Sequence, residues 1–242
     1  MLQSLFWYDH IFVLVVLYFN IMISLLKNVS VKQKGMALKL APVIMFIWVR
    51  VPQFGTIFLA QLFRNCPYAV PFYPSREDGQ SEVEYMIICG YQLNSEGKIT
   101  EKDELYLERM FIMIELYSAV IQCNITQCHP RNLQYAWNWL ARVLNEKPVP
   151  KVTALMLDAF LSMSAHKLLR IYGKQFVKVI HHIKSVYLKK IESITTTDKQ
   201  TMMKLITLID DIYRIIMTAT NSLDAASALT RKLDIIPDNF FL

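Results

Sequence analysis

The chain has 242 residues, of which 54% are hydrophobic and 19% charged, and its 26 Lys and Arg against 20 Asp and Glu give a net charge of +6. This composition excludes a disordered or low-complexity chain, and the length predicts a hydrophobic core of ordinary size. Only six glycines are present, and the sequence contains no phosphate-cradle or nucleophile-elbow motif. We therefore expect a folded protein that is not an enzyme.

The amino-terminal segment, residues 1–30, contains an uncharged run of sixteen residues from Ile11 to Leu26. A membrane-spanning helix needs about 20 apolar residues, so this run is borderline in length. If it inserted, the lysines that follow it would keep the rest of the chain cytoplasmic. A membrane anchor, a buried helix and a wrongly assigned leading exon explain the segment equally well. We treat 1–30 as an uncertain hydrophobic leader and place the main domain at 31–242.

Apolar residues recur at helical spacing through the rest of the chain, and short polar or proline-containing connectors separate the helical segments. The predicted helices lie at about 36–50, 53–64, 81–91, 101–122, 133–145, 152–169, 174–194, 199–218 and 221–233. Within 133–145, Leu133, Trp137, Leu140 and Leu144 share one face, so we expect Trp137 and Leu140 to be buried. The irregular stretch 65–80 is rich in aromatic residues and proline, and we expect it to pack against the helices.

This alternation predicts an all-α fold, a HEAT-like array of antiparallel helices or α-solenoid without a strict sequence period. The cysteines, Cys66, Cys89, Cys123 and Cys128, are spaced irregularly, which favours reduced thiols over a disulfide framework. Cys123, Cys128 and His129 lie close together, but a structural zinc site needs four ligands and the chain has no second pair. We expect no metal.

A segment from 159 to 191 has seven basic residues and no acidic one: Lys167, Arg170, Lys174, Lys178, Lys184, Lys189 and Lys190. On one continuous helix, a single face would carry Lys167, Arg170, Lys174, Lys178, His181 and Lys189, opposite an apolar side that includes Val186. A solvated face normally mixes both signs of charge, so this basic partner face predicts an anionic partner. A plain lysine-rich surface is the alternative, and Gly173 is a position at which the helix can break.

Four strings are more specific than these patterns. The chain reads VPQFGTIFLAQLFRNCPYAVPFYP at 51–74, GYQL at 90–93, LERMFIMIELYSAVIQ at 107–122 and HPRNLQYAWNWLARVLN at 129–145. In order, spacing and rare residues, these strings closely resemble the C-terminal domain of the Gle-one family, which are nuclear-pore mediators of mRNA export. The resemblance runs from about residue 31 to the carboxyl end, and it implies an all-α, HEAT-like domain similar to the middle domain of translation initiation scaffolds.

The resemblance also implies a function. Domains of this family bind a DEAD-box RNA helicase at the cytoplasmic face of the nuclear pore complex and activate its ATPase, with inositol hexakisphosphate bridging the two proteins. The implied partners are that helicase, other nucleoporins and translation factors, with RNA contacted indirectly. A membrane-anchored helical scaffold, if 11–26 inserts, and an RNA-binding protein that uses the basic partner face are the alternatives. The second is weakened because that face lacks aromatic residues for base stacking.

The inositol-phosphate pocket of the family is built from scattered Lys and His residues. The resemblance places Arg64, Lys98 and Lys102 in the matching regions of this chain. Six phosphates need several converging cations, because each contact is a charge-assisted hydrogen bond and the charge has to be shared. Without the resemblance, the three would be interpreted as surface residues that flank a loop.

Overall fold

The computed structural model describes residues 35–71, 73–123, 131–194 and 199–221, together with Leu17 and Ile21. These residues form α-helices with short 3₁₀ and π segments, and within the same ranges the only β pairing is an isolated bridge between Leu93 and Ile99. The all-α prediction is confirmed, whereas the HEAT-like arrangement stays a prediction. The predicted helix at 221–233, apart from Asn221, and the rest of the leader lie outside the described residues.

The chain divides into two compact units, Met1–Pro130 and Arg131–Leu242. The first unit contains α1 (Met36–Arg50), α2 (Pro52–Asn65), a 3₁₀ turn (Pro67–Ala69), α3 (Glu82–Ile88) and α4 (Asp103–Gln122). The second contains α5 (Leu133–Asn145), α6 (Val152–Tyr172), α7 (Lys174–His182), a π turn (Ile183–Tyr187), α8 (Leu188–Ile194) and α9 (Lys199–Asn221). The boundary between 1–30 and 31–242 stays a prediction.

The core of the first unit is built around α4, which packs against α1 and α2. Nearly every side chain of α4 from Arg109 to Ile121 is buried, as expected of a helix that is apolar on all sides. α1 and α2 pack closely because Gly55 has no side chain. A Cβ atom there would lie 1.8 Å from Nε1 of Trp48, so the indole ring occupies that space.

The core of the second unit includes α5, which contacts α6. The buried side of α5 consists of Ala136, Trp139, Leu140 and Val143. The ring of Trp139 stacks on that of Phe160, with the centroids 4.1 Å apart. The prediction for Leu140 is therefore confirmed and the prediction for Trp137 is wrong. Trp137 lies at the edge of the contact, half-buried and stacked on Tyr172, because Ala136 and Trp139 define the centre of the stripe.

The helix predicted at 174–194 differs from one regular α-helix in two places. Gly173 has φ 47° and ψ −120°, which ends α6 before α7 begins. The π turn at Ile183–Tyr187 then widens the helix by one residue. Tyr187 consequently points into the core, where its hydroxyl donates to the carbonyl of Val143 at 2.8 Å, and Val186, predicted to face the core, is 40% exposed.

The composition of α6 also meets the length and hydropathy criteria for a membrane-spanning helix, the one helix of the described residues that does so. Within that apolar window, however, 67% is buried inside the protein. Core helices of globular domains often have this composition, so the sequence of α6 is explained by its packing.

We predict that Trp139→Ala lowers the free energy of unfolding by about 3–5 kcal/mol, because it empties a fully enclosed aromatic site. Trp137→Ala removes a half-exposed ring from the same helix and serves as the matched control, for which we expect a clearly smaller loss. Urea denaturation followed by circular dichroism measures both. Equal losses for the two variants would contradict the assignment of the buried stripe.

Candidate functional site

A buried arginine organises the loops of the first unit. The side chain of Arg109, on α4, is 1% exposed, and its Nε and Nη2 donate to the two carboxylate oxygens of Glu101 at 2.8 and 2.5 Å. Nη2 also donates to the carbonyl of Gly90 at 2.9 Å, and Nη1 donates to the carbonyl of Asn65. The planar guanidinium, with donors in fixed directions, suits this set of acceptors. We call these four residues the Arg109 cluster.

The carboxylate of Glu101 binds a further part of the chain, because its Oε2 accepts from the backbone N–H of Gln92 at 3.1 Å. The Arg109 cluster thus joins the end of α2, the turn after α3 and the segment that leads into α4. Neither charge is left without partners, which is the condition under which an ion pair can be tolerated in a low-dielectric interior.

Aromatic rings pack beside the Arg109 cluster. The ring of Tyr91 stacks on that of Tyr106 with the centroids 3.8 Å apart, and Tyr106 donates a hydrogen bond to the carbonyl of Cys89 at 3.0 Å. The hydroxyl of Tyr68, in the irregular stretch, lies 3.1 Å from that of Tyr106. Burial raises the pKa of both Tyr68 and Tyr106 above the ordinary value, so both hydroxyls stay protonated.

The irregular stretch 65–80 is packed against the helices where it begins, as the sequence predicted. Cys66, Tyr68 and Ala69 are buried. Burial also raises the pKa of the Cys66 thiol to about 12, so it stays protonated and unreactive at neutral pH. The turn after α3 approaches so closely that a Cβ atom at Gly90, where φ is 88°, would lie 2.7 Å from the ring of Pro67.

The predicted cations Arg64 and Lys102 are exposed and lie next to residues of the Arg109 cluster. Arg64 is in the last turn of α2 and precedes Asn65, whereas Lys102 follows Glu101 at the start of α4. Arg109 therefore holds the backbone beside both cations, and neither has an ion-pair partner among the described residues. Lys98 lies in a separate turn from Asn94 to Lys98, where its ammonium pairs with Glu96 at 3.3 Å.

A polyphosphate ligand requires long, solvent-accessible cationic side chains that can converge on several oxygens. Arg64 and Lys102 are long, solvent-accessible cations. Lys98 is also accessible, although its ammonium pairs with Glu96 in a surface ion pair whose two side chains are 76% and 68% exposed. Arg109 does not meet the requirement, because its donors are already used inside the protein. Three cations are too few to neutralise six phosphates.

The basic partner face in the second unit is less regular than predicted. The five predicted residues are Lys167 and Arg170 on α6, Lys174 and Lys178 on α7, and Lys189 on α8. All are exposed except Lys167, which is half-buried. They lie on three helices and not on one continuous helix, because α6 ends at Gly173 and the π turn interrupts 174–194. That they form one basic face stays a prediction.

One basic residue of this segment is engaged inside the unit. Lys184 forms an ion pair with Asp210 on α9 at 2.9 Å, and its ammonium lies 4.4 Å from the centre of the Tyr213 ring. The positive charge predicted for this segment is therefore reduced at the π turn, and the exposed lysines of α7 and α8 carry most of what remains.

The residues that the structure describes contain no group of three or more His, Cys, Asp or Glu side chains that could hold a metal ion. Cys66 and Cys89 are reduced and buried. Cys128 and His129, which lie close to Cys123 in the sequence, are outside the described residues.

Sequence reasoning missed Arg109 and Glu101 as the residues that organise this site. The available signal was the single arginine of the predicted helix at 101–122, which is followed directly by the apolar run MFIMI at 110–114. A cation in such a position requires an acidic or carbonyl partner nearby. The sequence alone does not show that its partners come from three separate parts of the chain.

Solved structures share this all-helical fold. Two similar structures are complexes of the C-terminal domain of an S. cerevisiae Dbp5 variant bound to Gle1 and IP6, one of them with a Gle1 variant. They match with TM-scores of 0.65 and 0.66 at 21% and 22% identity. Each match covers 86% of this chain and 68% of the other chain. At this level of identity the similarity establishes the fold.

The family model described as GLE1-like protein matches residues 12–184. The chain belongs to the GLE1-like protein family, and the family predicted from the four strings is confirmed. Mouse mRNA export factor GLE1 is 40% identical over 166 residues, which cover 66% of this chain and 24% of that protein. The Drosophila melanogaster factor is 30% identical over 176 residues, 70% of this chain and 26% of that protein. The chain spans about a quarter of the length of these relatives.

We predict that Arg109→Met lowers the free energy of unfolding by about 3–5 kcal/mol, because it leaves the buried Glu101 carboxylate without its cation. Arg142→Met is the matched control: Arg142 is an exposed arginine in the last turn of α5. Surface substitutions of this kind change stability by about 0.5 kcal/mol or less. Urea denaturation compares the two variants, and similar losses would contradict the role given to the Arg109 cluster.

Proposed function

We propose that this chain acts in mRNA export as the domain that binds a DEAD-box RNA helicase and activates its ATPase, with inositol hexakisphosphate held between the two proteins. The observation that carries the proposal is membership of the GLE1-like family, whose matched relatives are named mRNA export factors. The similar solved structures support the choice of partner and ligand, because they are complexes of Dbp5 with Gle1 and IP6.

Three exposed cations of the first unit, Arg64, Lys98 and Lys102, are the residues that we assign to the ligand. Arg64 and Lys102 would donate charge-assisted hydrogen bonds to its phosphates, and Lys98 would join them after leaving Glu96. The Arg109 cluster supports this assignment, because it fixes the backbone next to both principal donors and thereby lowers the entropy lost on binding. Since three cations cannot neutralise six phosphates, the other donors would come from the helicase, and the ligand would join the two proteins.

Activation requires no catalytic group on this chain. A helicase alternates between conformations, and a partner that binds one of them more tightly raises its population. A packed helical domain suits this task, because it presents a surface of fixed shape that complements only one arrangement. The chain would therefore accelerate ATP turnover by the helicase and would hydrolyse no ATP itself, which agrees with the lack of phosphate-binding glycine motifs in its sequence.

The site of action follows from the same proposal. A factor that activates an export helicase would work at the nuclear pore complex, on its cytoplasmic face and in the cytoplasm, and would contact RNA through the helicase. The exposed lysines of the basic partner face, Lys174, Lys178 and Lys189, would bind an acidic protein surface in this assembly. Other nucleoporins and translation factors are the further partners we propose for it.

We predict that the purified chain turns over no ATP alone and raises the ATPase rate of its cognate DEAD-box helicase, more strongly with inositol hexakisphosphate than without. A coupled phosphate-release assay measures the helicase, the chain and the mixture separately. ATP turnover by the chain alone would contradict the proposal, as would a helicase rate that the chain leaves unchanged.

We also predict that Arg64→Glu with Lys102→Glu weakens binding of inositol hexakisphosphate by roughly a hundredfold or more, because charged hydrogen bonds contribute about 1.5–3 kcal/mol each. Calorimetric titration measures this affinity in the ternary mixture with helicase. The matched control is Lys174→Glu with Lys178→Glu, which makes the same change in net charge on α7 and should affect ligand affinity less. Loss in the control with unchanged affinity in the first variant would move the ligand to the basic partner face.

A further inference from the structure

The outward side of α1 differs from an ordinary solvated helix face. The exposed residues of this helix are Lys39, Val43, Phe46, Val49 and Arg50, of which all but Val49 lie opposite the side that enters the core and Val49 lies at the edge of that side. At about 100° per residue, Lys39, Val43, Phe46 and Arg50 fall within roughly 60° of one direction. Val43, Phe46 and Val49 are 45%, 51% and 36% exposed. We call these five residues the α1 outer stripe.

The stripe combines cations with apolar groups and contains no acid. The guanidinium of Arg50 lies 3.5 Å from the centre of the Phe46 ring, and its Nη1 is 3.4 Å from the carbonyl oxygen of Phe46. The cation and the ring are therefore presented together at the surface. Helices that lie in a membrane interface have this character, with aromatic and aliphatic side chains in the lipid and Lys or Arg at the headgroups.

The charge distribution around α1 extends the same character over a long part of the sequence. From residue 10 to residue 76 the chain contains no Asp or Glu, but seven cations: Lys27, Lys32, Lys34, Lys39, Arg50, Arg64 and Arg76. The same span includes the uncharged run from Ile11 to Leu26. Leu17 and Ile21, the described residues of that run, are 52% and 57% exposed.

We propose that the α1 outer stripe binds the surface of an anionic lipid bilayer, with Val43, Phe46 and Val49 in the interfacial layer and Lys39 and Arg50 at the headgroups. An acidic protein would also attract the two cations. The acid-free sequence continues from the stripe toward the amino end, however, and includes the uncharged apolar run from Ile11 to Leu26. An apolar run next to cations is suited to an anionic bilayer rather than to an acidic protein surface, so this continuity favours the bilayer.

The test uses the full chain and vesicles of two compositions, phosphatidylcholine alone and a three-to-one mixture of phosphatidylcholine and phosphatidylserine. We expect binding to the mixed vesicles that falls as salt is added. Lys39→Glu with Arg50→Glu should weaken this binding roughly tenfold or more. Val43→Ser with Phe46→Ser should also weaken it, because the apolar anchors are lost.

Each variant has a matched control elsewhere in the chain. Lys199→Glu with Lys204→Glu makes the same change of charge at two exposed lysines of α9, outside the basic partner face, and Val83→Ser with Ile87→Ser removes two exposed aliphatic side chains from α3. Neither control should change binding to mixed vesicles. Circular dichroism and thermal unfolding verify that all four double variants keep the helical fold.

A direct readout separates contact by α1 from binding through the leader alone. In the Phe46→Trp variant, brominated acyl chains in mixed vesicles should quench the fluorescence of the added tryptophan. In the Val83→Trp variant, they should leave the fluorescence of the added tryptophan unchanged. Failure to bind mixed vesicles would overturn the proposal, and that outcome would favour an acidic protein as the occupant of the stripe. Binding that the α1 variants leave unchanged, or an absence of quenching at position 46, would also overturn it. The helicase assay is independent of these results, since the stripe contains neither Arg64 nor Lys102.

Discussion

The buried ion pair between Arg109 and Glu101 is the interaction on which the loops of the first unit depend. Two charges removed from water are costly unless their remaining hydrogen-bonding groups are satisfied, and here the backbone of Asn65, Gly90 and Gln92 satisfies them. Three segments that are distant in sequence are held by one guanidinium and one carboxylate. A hydrophobic replacement of the pair would fill the same volume, but it would not specify which carbonyl lies where.

This constraint explains how exposed residues can form a defined site. Arg64 and Lys102 have flexible side chains, and surface cations of this kind bind weakly unless their backbones are fixed. Each is adjacent to a residue that the Arg109 cluster holds. The stacked rings of Tyr91 and Tyr106 and the contact between Gly90 and Pro67 restrict the same loops from the other side. Stability in the interior and the binding that we propose at the surface would thus be connected through the backbone.

Much of the fold was accessible from the sequence, because apolar spacing and proline-marked connectors define helices locally. The bounds of α5 and the packing of the first part of the 65–80 stretch were predicted correctly for this reason. Trp137 and Val186 were placed wrongly. Local sequence patterns do not show which residues lie at the edge of a buried stripe, as Trp137 does, because the helix packed against it decides this. A π turn, such as the one that contains Val186, rotates the residues of a helix relative to regular helical spacing, and apolar periodicity does not reveal it.

The site was less accessible than the fold. Family motifs placed Arg64, Lys98 and Lys102 in the regions expected to match the ligand site, and their assignment to a ligand stays a prediction. Arg109 is the one arginine of a helix that is mostly apolar, and the sequence shows this directly. Its hydrogen-bond acceptors, however, are 8, 19 and 44 positions away in the sequence. Hydrogen-bonding partners at such separations are selected by tertiary packing, which a single sequence does not encode in any local pattern.

Hydrogen–deuterium exchange measured by mass spectrometry tests the central claim most directly, with Arg109→Lys as the variant. Lysine keeps the charge but cannot bond Glu101, Gly90 and Asn65 in the fixed directions of a guanidinium. We predict faster exchange in peptides that cover 64–71 and 88–105, with unchanged exchange in α5, α6 and α9 of the second unit. Unchanged exchange in those loops, or an equal increase along the whole chain, would contradict the claim that Arg109 organises the site.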